Sequence, residues 1–118
     1  MSPRPSRIKF KKAENTLEIA FDDGAEFSIP AELLRVESPS AEVQGHGMGQ
    51  KKIVSGRRHV SIMEIEPVGN YAIRLIFDDL HDTGIFSWSY LYELGKEKVQ
   101  KWSEYITALE EAGLSRDP

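Results

Sequence analysis

Two stretches of the sequence follow one plan, and a chain that builds the same unit twice is confined to few folds. Residues 21–34 (FDDGAEFSIPAELL) and 77–94 (FDDLHDTGIFSWSYLYEL) each open on Phe-Asp-Asp, turn, and return as a strand. Each then enters a helix-compatible run carrying Leu. Before each turn apolar residues alternate with polar or small ones: Leu17, Ile19 and Phe21 in the first copy, Tyr71, Ile73, Leu75 and Phe77 in the second. That is the period of a strand with one buried face, and Asp-Gly at 23–24 is a hairpin signal. Ile8 and Phe10, between Arg7, Lys9 and Lys11, supply a strand ahead of the first hairpin. Residues 59–66 (HVSIMEIE) supply one ahead of the second, where the change of parity at Met63 points to a bulge or to a strand buried on both faces.

The remaining runs read as helices, turns and loops. Pro30 suits a first helical position, with Leu33 and Leu34 turned inward, and Ser38 before Pro39 resembles an N-cap and N1 pair. Residues 44–58 (QGHGMGQKKIVSGRR) read as a surface loop, with room for a short strand at Ile53, and Pro67 to Asn70 as a turn. Ser87 is placed to cap a helix over 88–94 that Gly95 ends. Over 96–112 Val99, Trp102, Ile106 and Leu109 recur at helical spacing, with Glu97 one turn before Lys101 and Gly113 as the stop. The expected architecture is α+β: an antiparallel sheet of about six strands in two similar meanders, packed against a C-terminal amphipathic helix. Residues 1–6 read as a flexible arm, 7–113 as a single domain and 114–118 as a tail.

Length and charge narrow the function. A chain of 118 residues suits one core, and 15 basic against 19 acidic residues, net charge −4, disfavours non-specific grip on nucleic acid. There is no Cys, hence no disulfide, thiolate metal cage or cysteine nucleophile. No run approaches the roughly 20 apolar residues of a membrane span, and the first residues lack the apolar segment of a secretory signal. Cytoplasmic location is the expectation.

Three histidines are candidates for chemistry. His46 lies between Gly45 and Gly47, where its ring is either solvated or free to reach a ligand or metal. His81 follows Asp78 and Asp79 and precedes Asp82, a carboxylate and imidazole group of the kind that Fe²⁺ or Mn²⁺ accepts. Its spacing fits neither an EF-hand nor a paired-histidine zinc motif, and because Asp22 and Asp23 repeat without a His, turn formation explains the aspartates as well. His59, beside Arg57 and Arg58, reads as structural. Lys51, Lys52, Arg57 and Arg58, among Gly45, Gly47, Gly49 and Gly56, form a basic loop suited to a phosphate or an acidic partner surface, or simply to solvent; no Walker frame is present. No Ser-His-Asp pattern or nucleophile elbow occurs. Trp88, Tyr90, Tyr92, Trp102 and Tyr105 read as the seam between helices and sheet, any exposed remainder being a partner-binding patch.

Residues 29–35 (IPAELLR), Ser38-Pro39-Ser40-Ala41-Glu42, Gly45-His46-Gly47, residues 65–71 (IEPVGNY), and Phe77-Asp78-Asp79 with His81, Gly84 and Tyr90-Leu91 together resemble the gamma-butyrobetaine hydroxylase-like N-terminal domain family. The likeness runs over nearly the whole chain. It implies a small domain that occurs alone in bacteria, fused to iron-sulfur carrier ATPases, or ahead of 2-oxoglutarate oxygenases whose catalytic iron lies in a separate domain too large for this chain. Hydroxylase activity does not follow from it. The resemblance also implies a structural zinc position held by three Cys and one His. Here the Cys positions fall on Ser38, Ser40 and Val43, with His81 at the His position, and two hydroxyls and an isopropyl are not zinc ligands of that kind. Ser38 and Ser40 are instead expected to tie the corner by hydrogen bonds. The reading is a non-catalytic binding module, with a protein partner from iron-sulfur or oxygenase systems and a working face over residues 45–58 and the His81 hairpin. The alternative is an iron or zinc binder using His46, His81, Asp79 and Asp82.

Overall fold

The computed structural model describes residues 3–44 and 52–118. The expectations placed on His46, on Lys51 and on the glycines 45, 47 and 49 lie outside the described residues.

Strands β1 (Pro5–Lys11), β2 (Thr16–Phe21) and β3 (Glu26–Pro30) form one antiparallel sheet, and β4 (Ile62–Val68), β5 (Ala72–Phe77) and β6 (Gly84–Ser87) form another. Helices α1 (Ala31–Val36) and α2 (Ala41–Gln44) follow the first sheet, and α3 (Trp88–Lys96) and α4 (Lys98–Glu111) follow the second. The two meanders are those the sequence predicts, but they make two sheets rather than one. Side chains join them: Leu17, Ile29, Leu33 and Leu34 are fully buried in the same cluster as Leu75, Phe77, Phe86 and Leu91. Each such side chain contributes about 1.5–3 kcal/mol, enough to hold the sheets together without a backbone ladder between them.

The internal repeat extends to the hydrogen bonds of the two hairpin tips. In the first, the Phe21 amide donates to Ala25 O at 2.8 Å and the Gly24 amide to Phe21 O at 3.1 Å. The Ala25 amide donates to Asp23 Oδ1 at 2.9 Å. In the second, Phe77 donates to His81 O at 3.0 Å and Leu80 to Phe77 O at 3.2 Å, and the His81 amide donates to Asp79 Oδ1 at 3.1 Å. Even the outer strand is held alike, since Asp22 exchanges backbone and carboxylate bonds with Arg4 as Asp78 does with Ser61.

Several local expectations shift. β1 begins at Pro5 and β4 only at Ile62, with a register shift between Ile62 and Glu64 that leaves Met63 exposed. His59 sits in an exposed turn, and residues 52–55 carry no strand at Ile53. Pro67 and Val68 belong to β4, the turn being made at Gly69, whose φ is +55°. Pro30 is the extended last residue of β3, one place before α1. Ser40, not Ser38, precedes α2 and accepts from the Val43 and Gln44 amides through its carbonyl. Gly95 lies inside α3 instead of ending it: a Cβ there would stand 2.4 Å from Phe27 Cγ, so the helix can approach β3 only with glycine at that place. On α4 the inward face is Trp102, Tyr105, Ile106 and Leu109, while Val99 is 81% exposed. Ser87 does cap α3, accepting from the Tyr90 amide at 3.1 Å, and Gly113, at φ +70°, ends α4.

Candidate functional site

α1 and the corner after it run beneath the second hairpin, which brings three buried polar side chains together. His81 Nε2 lies 3.0 Å from Ser38 Oγ and 3.3 Å from Ser40 Oγ, and the hydroxyls are 3.4 Å apart. Ser38 is fully buried, and His81 and Ser40 nearly so. Space here is full: a Cβ at Gly84 would stand 2.5 Å from Ser38 Oγ. Gln44 closes the corner, its Nε2 donating to Ser38 O at 2.9 Å. Ser38 and Ser40 tie this corner through hydrogen bonds to imidazole, and Val43, buried and without a donor atom on its side chain, completes the set that the resemblance picks out. That donor set does not fit a structural zinc ion, because two neutral hydroxyls and an isopropyl group stand where such a site needs thiolates, leaving His81 as its one ordinary zinc ligand.

One residue before Leu80, Asp79 anchors the hairpin from the other side. Its Oδ2 accepts from Arg35 Nε at 2.7 Å and lies 2.7 Å from Arg57 Nε. Burial pushes this carboxyl up, but the hydrogen bonds from Arg35 and from the His81 amide, with the charges of Arg35 and Arg57, outweigh it and hold Asp79 below the usual value. Asp79 is therefore engaged by cations, and Asp82, the other carboxylate beside His81, is exposed. Among the described residues no group of three or more His, Cys, Asp or Glu converges as a metal site.

A second buried ion pair lies across α1. Glu32, 4% exposed, accepts from Arg116 Nε and Nη2, both at 2.8 Å, and from the Tyr105 hydroxyl at 2.6 Å. Arg116 also covers the Trp102 ring, 4.9 Å from its centre. The tail runs beside residues 56–58: Gly56 and Arg58 amides donate to Ser115 and Arg116 carbonyls at 2.9 and 3.0 Å, and Arg58 pairs with Asp117. Two members of the predicted basic group, Arg57 and Arg58, are thus held within the chain, while Lys52 is exposed. Next to Lys52 a cavity of about 190 Å³ opens between α1 and α4, with Val36, Ile53, Val54 and Ala108 among its walls.

The aromatic residues form the seam expected of them. Tyr92 meets Phe21 and Phe27 edge-on at 5.0 and 5.3 Å and donates to Asp23 at 2.7 Å. Trp88 Nε1 donates to Asn70 O at 2.9 Å. Tyr90 donates to Glu37 O, and burial together with the Glu37 charge pushes its hydroxyl up to about 12.

Leu80 is the residue that sequence reasoning passed over. It is 88% exposed, with φ at +73°, between Asp79 and His81 at the hairpin tip. The signal was present in the repeat: the same place in the first copy is Gly24, at φ +92°.

These features define a small α+β domain with a sealed hydroxyl-imidazole corner under one of two matched hairpins. The gamma-butyrobetaine hydroxylase-like, N-terminal family matches residues 8–92, and the chain belongs to it. Two solution NMR structures are similar at 47% identity. One covers 100% of this chain and 93% of its own with a TM-score of 0.87, the other 99% and 87% with 0.86. A crystal structure from Acidithiobacillus ferrooxidans, a protein of unknown function in the DUF971 family, is 39% identical over 78% of this chain and 92% of its own, with a TM-score of 0.67. No curated protein matches the chain significantly. No helix among the described residues is long and apolar enough to cross a membrane.

Proposed function

We propose that the chain is a non-catalytic protein-docking module whose contact face is the Leu80 hairpin tip together with residues 52–58. Leu80 carries this reading. A left-handed conformation costs a residue bearing a Cβ roughly 1–2 kcal/mol, and a side chain 88% exposed recovers almost none of the burial energy that would offset it. The first hairpin meets the same backbone requirement with Gly24. Neither backbone nor solubility favours leucine at the second tip, whereas contact with a partner does.

The Arg57–Asp79 contact supports adding residues 52–58 to that face, since it ties this segment to the hairpin, and Ile53, 48% exposed, extends the apolar surface. A non-catalytic role is supported by the burial of Ser38, Ser40 and His81, whose polar atoms meet one another rather than a cleft. Oxygenase catalytic domains and iron-sulfur carriers, which the sequence resemblance implies as companions of such a domain, are the first partners to test.

The experiment uses Leu80→Gly and Leu80→Asp against the unaltered chain as immobilised baits, with captured proteins quantified and the folded state checked by amide spectra. Leu80→Gly is expected to melt at or above the temperature of the unaltered chain, and both variants to lose the same captured partner. Undiminished capture by Leu80→Asp removes the hairpin tip from the interface and the reading with it.

A further inference from the structure

Asp79 is a single carboxylate set between two guanidinium groups. Its Oδ1 accepts from the His81 amide at 3.1 Å and its Oδ2 from Arg35 Nε at 2.7 Å. Arg57 Nε is equally near Oδ2, at 2.7 Å, but off the line that a hydrogen bond needs, and it is buried without a hydrogen-bond partner. Arg35 Nη1 is likewise buried with no partner, on a side chain only 9% exposed. A guanidinium carries donors alone, so neither nitrogen can turn acceptor to a neighbouring N–H. Two cations on one anion leave a net positive charge, and two N–H groups beside it lack an acceptor. Glu37, another buried acid of this corner, has interactions of its own.

We propose that Arg35 and Arg57 form a receptor for a small oxyanion, a carboxylate or a phosphate, which enters past Arg57 and takes up the unmet donors beside Asp79. Arg57 is the accessible member, its side chain 33% exposed against 19% for Asp79. An oxyanion suits the position because it offers several acceptor oxygens to two planar donors at once, the arrangement in which arginine binds such groups most strongly. The site is independent of the docking role assigned to Leu80: a free anion fills it as well as a carboxylate on a partner.

The test follows the arginine Nε–Hε signals of labelled full-length protein while sodium phosphate is added, and in a separate arm sodium acetate, at constant ionic strength. Saturable shifts of Arg35 and Arg57 are expected in at least one arm. A response to phosphate alone identifies a phosphate-type ligand, and a response to acetate a carboxylate. Arg57→Gln is expected to weaken binding by about tenfold or more. Should that variant fail to fold, Asp79→Asn carries the test, since it removes the internal competitor and is expected to tighten binding by a similar factor. Absence of saturation in both arms means that internal water meets these N–H groups and overturns the proposal. Shifts that survive Arg57→Gln unchanged, or fail to strengthen in Asp79→Asn, mark an adventitious ion only and overturn it equally.

Discussion

Glu32 shows how much a single residue can depend on groups remote in sequence. Burial alone pushes its carboxyl up, yet the hydrogen bonds from Arg116 and Tyr105 and the charges of Arg116 and Arg58 bring it below its usual 4.5. A depressed folded value stabilises the fold above the unfolded value, and the contribution disappears as pH falls through the folded one. Glu32→Gln is therefore expected to lower unfolding free energy by about 1–3 kcal/mol at neutral pH. The difference from the unaltered chain should shrink as pH falls below 4.5, as urea unfolding at several pH values would show. A difference independent of pH would mean that the charge of Glu32 contributes nothing. Asp79 is depressed for the same kind of reason and adds to the same acid sensitivity. Nothing adjacent to Glu32 in sequence marks it as half of an ion pair, because its partner lies 84 residues further on. His81, Ser38 and Ser40 were legible as one set only through the family resemblance, since no local pattern reports a contact across 41 or 43 residues.

At the scale of elements, strands were read more reliably than helix ends or helix faces. Period-two alternation repeats the same inward choice several times over, as at Leu17, Ile19 and Phe21, so a single ambiguous residue does not change the result. A helix end rests on one or two residues and is easily misread. Gly95 looks like a terminator in sequence, but its place is decided by the Phe27 ring of another element. The inward face of α4 was misread at Val99, which is exposed, whereas Tyr105, read as part of the aromatic seam, does turn inward and reaches Glu32 with its polar tip. Gly95→Ala separates the two roles. Greater helix propensity alone would stabilise α3 by up to about 1 kcal/mol. Contact of the new methyl with a buried ring costs about 1–3 kcal/mol. Because Cβ would stand 2.4 Å from Phe27 Cγ, the contact should win, and thermal unfolding is expected to show a lower midpoint. A higher midpoint would mean that α3 can move off β3 at little cost.

For the whole molecule, the question is what joins two separate sheets and a tail into one cooperative unit. The core does most of this work, and the polar ties at its margin fix the chain segments that lack regular structure. Residues 56–58 are held by Asp79 through Arg57 on one side and by the tail through Gly56 and Arg58 on the other. Arg116→Ala should loosen this arrangement, leaving the Glu32 carboxylate buried with Tyr105 as its remaining partner. The expected loss is about 1–3 kcal/mol, below the roughly 3–5 kcal/mol of a fully buried pair because Arg116 is 28% exposed. Hydrogen exchange should show the Gly56 and Arg58 amides losing protection together. Unchanged protection at both would show that the backbone contacts, not Arg116, hold the tail.

The sequence by itself determined the number and order of the strands and the paired hairpins, because alternation and turn residues act over a few neighbouring positions, and its motifs carried the resemblance to the family. Only the tertiary structure decided that the strands form two sheets, that Ser38 and Ser40 meet His81, that Glu32 meets Arg116, and that Leu80 faces solvent where Gly24 is its counterpart. These outcomes depend on burial and on contacts between residues far apart in the chain, and such contacts exist only once the whole core has closed.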